Sequence, residues 1–190
     1  MTNKTMNIDV DKMKKAGAEV YNRLMAASLM SYYMRVVGFN YDAGIQVNQT
    51  MLTPEAQANE VNMIQEELDE LKLAFEGFYM KKVKNADGSG YTKVKTSFES
   101  VAEQRIAIAD ALGDIVYVTF GTAARHGMDI ASVLYEVAAS NDTKYTDGVL
   151  VKNEAGKIQK GPNFKEPDLS FVSEPIDFNK AIEDYKNVQQ

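Results

Sequence analysis

Ile106-Ala-Ile-Ala-Asp110-Ala-Leu-Gly-Asp114-Ile-Val-Tyr-Val118 is an apolar run whose only charged residues are two aspartates. It lies inside a longer stretch, Ile106 to Ala124, that is nearly apolar on every side, the pattern of a central and buried helix. Asp110 and Asp114 are one helical turn apart and share a face. Aspartate is a poor residue for a helix interior, and an unpaired carboxylate among apolar side chains is too costly to leave ionised. Either a cation neutralises the pair, or a base such as Arg105 or Lys72 does.

Working outward, Thr96-Ser-Phe-Glu99 reads as a capping box that starts this helix, which then runs to about His126. Gly127 ends it, and Asp129 caps a further helix through about Ser140. Upstream, Thr53-Pro54-Glu55 supplies a hydroxyl cap, a proline at the first turn and an early acid. The helix that follows carries Val61, Ile64, Leu68, Leu71, Phe75 and Phe78 at spacings of three and four and is expected to reach about Met80. A first helix is predicted from about Asp9 to Val36, followed by a polar connection over Gly38–Thr53. Between the second and third helices, Lys81 to Lys95 is basic, turns at Asp87-Gly88 and has β-like flanks, so a short hairpin or loop is expected. The expectation is an all-α fold in one domain, residues 1–190. Its helical core spans 53–140, an irregular glycine- and proline-bearing strap 141–175, and a terminal helix 176–190.

Composition narrows the chemistry. The 190-residue chain has no cysteine and one histidine, His126, so any metal must sit on oxygen ligands, which suits Mg²⁺ or Mn²⁺. A net charge of −6 argues against a nucleic-acid partner, since such proteins need a basic face. The N-terminus lacks the apolar core of a signal peptide, and no uninterrupted apolar run of bilayer-spanning length is evident. A cytoplasmic protein with no membrane partner is the expectation.

The second helix repeats the acidic theme at Glu66-Glu67-Leu68-Asp69-Glu70. Glu67 and Glu70 are three apart, Glu66 and Glu70 four apart, so they share one side. Glu67 lies beside the apolar seam, between Ile64 and Leu71. Alone, such a cluster reads as a solvated face. With Asp110 and Asp114 on the next long helix, it reads as two acidic faces turned inward onto a hard divalent cation.

At these residues the chain resembles the MazG-like all-α nucleoside triphosphate pyrophosphohydrolases, a superfamily that includes phosphoribosyl-ATP pyrophosphohydrolase. Their signature is Glu-Glu-x-x-Glu followed on the next long helix by Glu-x-x-Asp. Glu66, Glu67 and Glu70 match the first half. Asp114 matches the second, but Ala111 stands three before it and the nearest acid, Asp110, stands four before, as in phage-type members. Ser140-Asn141-x-x-Lys144 and Lys160-Gly161-Pro162-Asn163-Phe164 resemble further family segments.

The resemblance implies a four-helix-bundle core and Mg²⁺-dependent attack of water at the α-phosphorus of a (deoxy)nucleoside triphosphate, giving the monophosphate and pyrophosphate. It implies Glu67, Glu70, Asp110 and Asp114 as metal ligands and Glu66 as outer ligand or base. Asn141, Lys144 and Lys160 would meet the substrate, and Tyr117 would stack on a base or sugar. Plainer roles compete: solvated lysines, a helix-end cap at Asn141, a core aromatic at Tyr117. Alternative readings are hydrolysis of phosphoribosyl-ATP, a phage-type enzyme for one purine nucleotide such as dGTP, and a non-catalytic metal-binding bundle. The resemblance also implies a homodimer or homotetramer, with the apolar Leu24–Val37 segment as a candidate contact.

Overall fold

The computed structural model describes residues 18–49, 52–176 and 178. The predicted helical residues 9–17, and the terminal helix apart from Ile176 and Phe178, lie outside them. Among the described residues the chain forms four helices and one two-stranded ribbon, an all-α fold. They are α1 (Ala18–Asp42), α2 (Pro54–Phe75), β1 (Phe78–Lys84), β2 (Tyr91–Ser97), α3 (Val101–Arg125) and α4 (Ile130–Asp142).

Local chemistry sets each boundary. Thr53 caps α2, its hydroxyl accepting from the Ala56 N–H at 3.2 Å, with Pro54 in the first turn. The helix stops at Phe75 rather than near Met80 because Gly77, at φ +88°, reverses the chain into the ribbon. The start of α3 is also displaced from expectation. Ser100-Val-Ala-Glu103, not Thr96-Ser-Phe-Glu99, forms the capping box: Ser100 Oγ accepts from the Glu103 N–H, and the Glu103 carboxylate accepts from the Glu99 N–H at 2.9 Å. Thr96 belongs to β2 instead, because pairing with Tyr79 in the ribbon satisfies its backbone. Helix α1 runs past Val36 to Asp42, through what reads in the sequence as the start of a loop.

The core gathers at one end of α3. Tyr33, Val36 and Val37 of α1 pack with Phe120, Ala123 and Ala124 of α3 and with Phe178. Tyr33 and Phe120 meet edge-to-face at 5.7 Å. The same end collects the polar locks. Asn48 and Gln49 donate their N–H groups to the Ala124 and Arg125 carbonyls, and Tyr33 donates its hydroxyl to the Met128 carbonyl at 2.7 Å. Gly127, at φ +66°, ends α3 as expected and is pressed close: a Cβ there would lie 2.2 Å from Asn48 Oδ1. Glu60, buried in α2, accepts from Thr122 Oγ1 at 2.6 Å and from the Arg125 guanidinium. This buried ion pair fastens α2 to the end of α3. Nothing in the local sequence marks it, because its members are 65 residues apart.

The other half of α3 differs from expectation. Ile106 is 69 % exposed, and Leu112 and Val116 are about half exposed; on α2, Val61 and Phe75 are more than 60 % exposed. Among the described residues the central helix is therefore buried mainly toward its C-terminus, with Ala111 also buried nearer its start. Helix α3 is also long and apolar enough to cross a membrane by length and composition alone, which reading for uninterrupted apolar runs misses. It carries Asp110 and Asp114, and both α1 and α2 pack on it.

Candidate active site between α2 and α3

Helices α2 and α3 pack against each other more extensively than any other pair of described helices, and the two acidic clusters lie within electrostatic reach of one another across that pair. Glu66, Glu70 and Asp110 line a single cleft of about 620 Å³. That is within the range that holds a nucleotide-sized ligand. Glu67 lies deeper than its neighbours, partly buried beside the helix seam. Burial, then the charges of Asp114, Glu70, Glu66 and Asp110 in that order, push its carboxyl above the ordinary glutamate range. All five acids singled out in the sequence therefore share one electrostatic neighbourhood, with Glu67 feeling the other four.

The expected basic partners are elsewhere. Lys72 pairs at 2.8 Å with exposed Asp69, which itself lines the cleft, rather than with Asp110 or Asp114. That hydrogen bond, with a second from Gln65, holds the Asp69 carboxyl below its usual range. No ion pair between Arg105 and either aspartate is found among the described residues. The arginine that does pair with a buried acid, Arg125, is spent on Glu60 at the far end of the helix.

A hard divalent cation suits this donor set chemically: five carboxylates, no soft ligand, and one glutamate that resists ionisation where it stands. The arrangement is open rather than closed. Among the described residues no group of three or more histidine, aspartate or glutamate side chains already stands in metal-holding geometry. The acids are gathered within Coulomb range but splayed. A cation would have to draw them in by side-chain rotation, which the exposed Glu66, Glu70, Asp110 and Asp114 can do freely.

The remaining candidates lie apart from the cleft. Tyr117 packs edge-to-face with Phe39 at 6.1 Å and borders the Tyr33–Phe120 core. Lys144 Nζ donates to Asn141 Oδ1 at 2.5 Å just beyond the end of α4. Lys160 pairs with Glu166 and lies over the Phe164 ring. The strap that carries Lys160 is anchored to the end of α4: Ser140 Oγ donates to the Lys165 carbonyl, and the Lys165 N–H donates to Thr143 Oγ1, both at 2.8 Å. Gly161 rests so closely on Thr146 that a Cβ would come within 2.3 Å of its hydroxyl. None of Asn141, Lys144, Lys160 and Tyr117 lines the cleft within one chain.

What lines it instead is the ribbon. Phe78, Tyr79, Met80, Lys82 and Lys93 form the wall facing the acids, with Phe98 stacked on Tyr79 at 5.1 Å. The sequence marks this segment as a basic hairpin or loop but does not place it against the acids.

The raised Glu67 carboxyl has a consequence for stability. A carboxyl whose folded-state pKa lies above its unfolded value binds protons more readily in the fold, so its contribution falls as pH rises through that range. In chelator at neutral pH, Glu67→Gln should therefore melt at a higher temperature than the wild type. The advantage should shrink as pH falls toward the ordinary carboxylate range, where Glu67 is protonated anyway. A variant that melts lower at neutral pH, with no pH trend, would contradict the crowding of charge at Glu67.

Residues 45–141, just over half of the chain, match the family model for phosphoribosyl-ATP pyrophosphohydrolase. The match takes in α2, the ribbon, α3 and nearly all of α4, and so both acidic clusters. No curated protein compared with the chain matches it. The chain thus belongs to the phosphoribosyl-ATP pyrophosphohydrolase family, within the MazG-like all-α superfamily, whose members are hydrolases of nucleotide phosphoanhydride bonds.

Proposed function

We propose that the protein is a Mg²⁺-dependent pyrophosphohydrolase that cleaves the α–β anhydride of a (deoxy)nucleoside triphosphate, serving nucleotide-pool control. The observation that supports this reading is that Glu66, Glu70 and Asp110 of two helices line one nucleotide-sized cleft, with Glu67 and Asp114, which do not line it, within electrostatic reach. Glu67, Glu70, Asp110 and Asp114 would hold the metal (Mn²⁺ would serve as well). When bound, it supplies charge neutralisation at phosphate oxygens and lowers the pKa of the attacking water. Glu66, exposed at the mouth, accepts a proton from that water as its oxygen bonds to the α-phosphorus. The bond from the α-phosphorus to the bridging oxygen breaks, and pyrophosphate departs, leaving the nucleoside monophosphate.

A second reading, hydrolysis of phosphoribosyl-ATP, is favoured by the family match itself. The scissile bond and the leaving pyrophosphate are the same, so both use the same five carboxylates. The difference lies in the base and its ribosyl adduct. Incubation with Mg²⁺ and each nucleoside triphosphate, deoxynucleoside triphosphate and phosphoribosyl-ATP in turn separates them. Pyrophosphate and a monophosphate are expected from at least one. Release of orthophosphate and a diphosphate would contradict attack at the α-phosphorus. Asp114→Asn should lower turnover by about a hundredfold or more, as expected for a lost metal ligand.

The working form is proposed to be a homodimer or a dimer of dimers. Tyr33, Val36 and Val37 of the segment expected to make the contact are consumed in the chain's own core. The apolar surface that needs covering lies instead on Val61 and Phe75 of α2 and on Ile106, Leu112 and Val116 of α3. Asn141, Lys144 and Lys160, distant from the chain's own cleft, would then reach substrate from a second copy. Sedimentation should show a dimer or larger at micromolar concentration, and Ile106→Glu should shift it toward monomer. A monomeric wild type at that concentration would contradict this.

A further inference from the structure

The ribbon between α2 and α3 carries lysines in a specific arrangement. Lys82 on β1 pairs directly with Lys93 on β2, so both side chains stand on the same face of the ribbon. Like charges placed opposite one another across two strands repel, and the pairing is destabilising unless something negative lies between them. The neighbouring lysine has such a partner: Lys95 Nζ lies 3.2 Å from a Glu76 carboxylate oxygen and over the Phe78 ring. Among the described residues the side-chain ammonium groups of Lys82 and Lys93 have neither an ion pair nor a hydrogen bond. Both line the cleft whose opposite wall is Glu66, Glu70 and Asp110.

The cleft is thus bipolar, with carboxylates on the helical wall and an uncompensated lysine pair on the ribbon wall. A cation alone satisfies only the first wall, a simple carboxylate only the second, and a neutral sugar neither. A polyphosphate satisfies both, since its oxygens can bridge to a divalent cation on one side and accept from two ammonium groups on the other. We propose that Lys82 and Lys93 are the phosphate-recognition arm of the site, binding the pyrophosphate portion of the substrate and holding it as it leaves. This rests on the pyrophosphohydrolase reading above and names substrate-binding residues for it. It also gives the basic segment a role distinct from guarding an exposed strand edge. Lysines that merely discourage strand addition act equally from either face. Lys81, adjacent in sequence, faces the other way and is absent from the cleft, so it separates the two roles.

The test is calorimetric binding of pyrophosphate in excess Mg²⁺ to the full-length wild type, Lys82→Gln/Lys93→Gln and Lys81→Gln. The double variant is expected to bind at least about tenfold more weakly, a loss of at least about 1.4 kcal/mol. Lys81→Gln should bind within about twofold of wild type, since it keeps both arm lysines. Equal affinity in wild type and double variant overturns the proposal. So does an equal loss in Lys81→Gln, which would make the effect one of diffuse charge, and so does a wild type that does not bind pyrophosphate. Turnover is read separately. Lysine-dependent pyrophosphate binding with no hydrolysis of any nucleotide would sink the catalytic reading and leave the arm standing. Hydrolysis with unaltered pyrophosphate binding in the double variant would do the reverse.

Discussion

Everything about the site follows from like charges held against one another by helix packing. Five carboxylates on α2 and α3 are brought together because the helices that bear them must pack, not because the acids attract. Repulsion between solvated acids at helical spacing costs only a few tenths of a kcal/mol per pair. It grows once a member such as Glu67 is drawn toward the seam, where burial itself disfavours the charged form. A fold tolerates such a cluster when something outside the chain completes it, and a hard cation on oxygen ligands is the completion we propose.

The tolerance depends on where the fold spends its stability. Aromatic packing around Tyr33 and Phe120, the capped end of α3 and the buried Glu60–Arg125 pair are concentrated at the C-terminal end of α3. Removing one partner of such a buried pair is strongly destabilising, typically by about 3–5 kcal/mol, because it strands the other charge. The acidic half of the helix pair projects beyond this anchor. It carries few buried side chains of its own beyond Leu71, Ala74 and Ala111. One end thus anchors α2 and α3 to each other, while the other leaves exposed side chains to rearrange around the metal and phosphate we propose. The ribbon closes the open side with lysines, setting the two charges across a cleft.

Much of this was legible in the residues. The nearness of Asp110 and Asp114 to Glu66, Glu67 and Glu70 was legible, since helix packing puts the two clusters within electrostatic reach, but both aspartates stand exposed rather than among apolar side chains. The caps at Thr53, Gly127 and Asp129 were readable because each is decided within four residues. Boundaries failed where two local patterns competed: Thr96-x-x-Glu99 and Ser100-x-x-Glu103 both carry the capping-box pattern, and strand pairing of Thr96 with Tyr79 left only the second to form the box. Glu60–Arg125 and the Lys82–Lys93 wall were not legible. Each depends on which residues a long-range packing or a strand register brings face to face. The burial of α3 was over-read, since an apolar surface in one chain does not say whether that chain or another covers it.

The central claim is that the five acids form one cation site spanning two helices. Titration of Mn²⁺, followed by loss of the free-ion electron paramagnetic resonance signal, tests it without reference to any substrate. Saturable binding by the wild type is predicted, with an affinity loss of about tenfold or more both for Glu67→Gln on α2 and for Asp114→Asn on α3. Undiminished binding in either variant, or none in the wild type, would contradict the account.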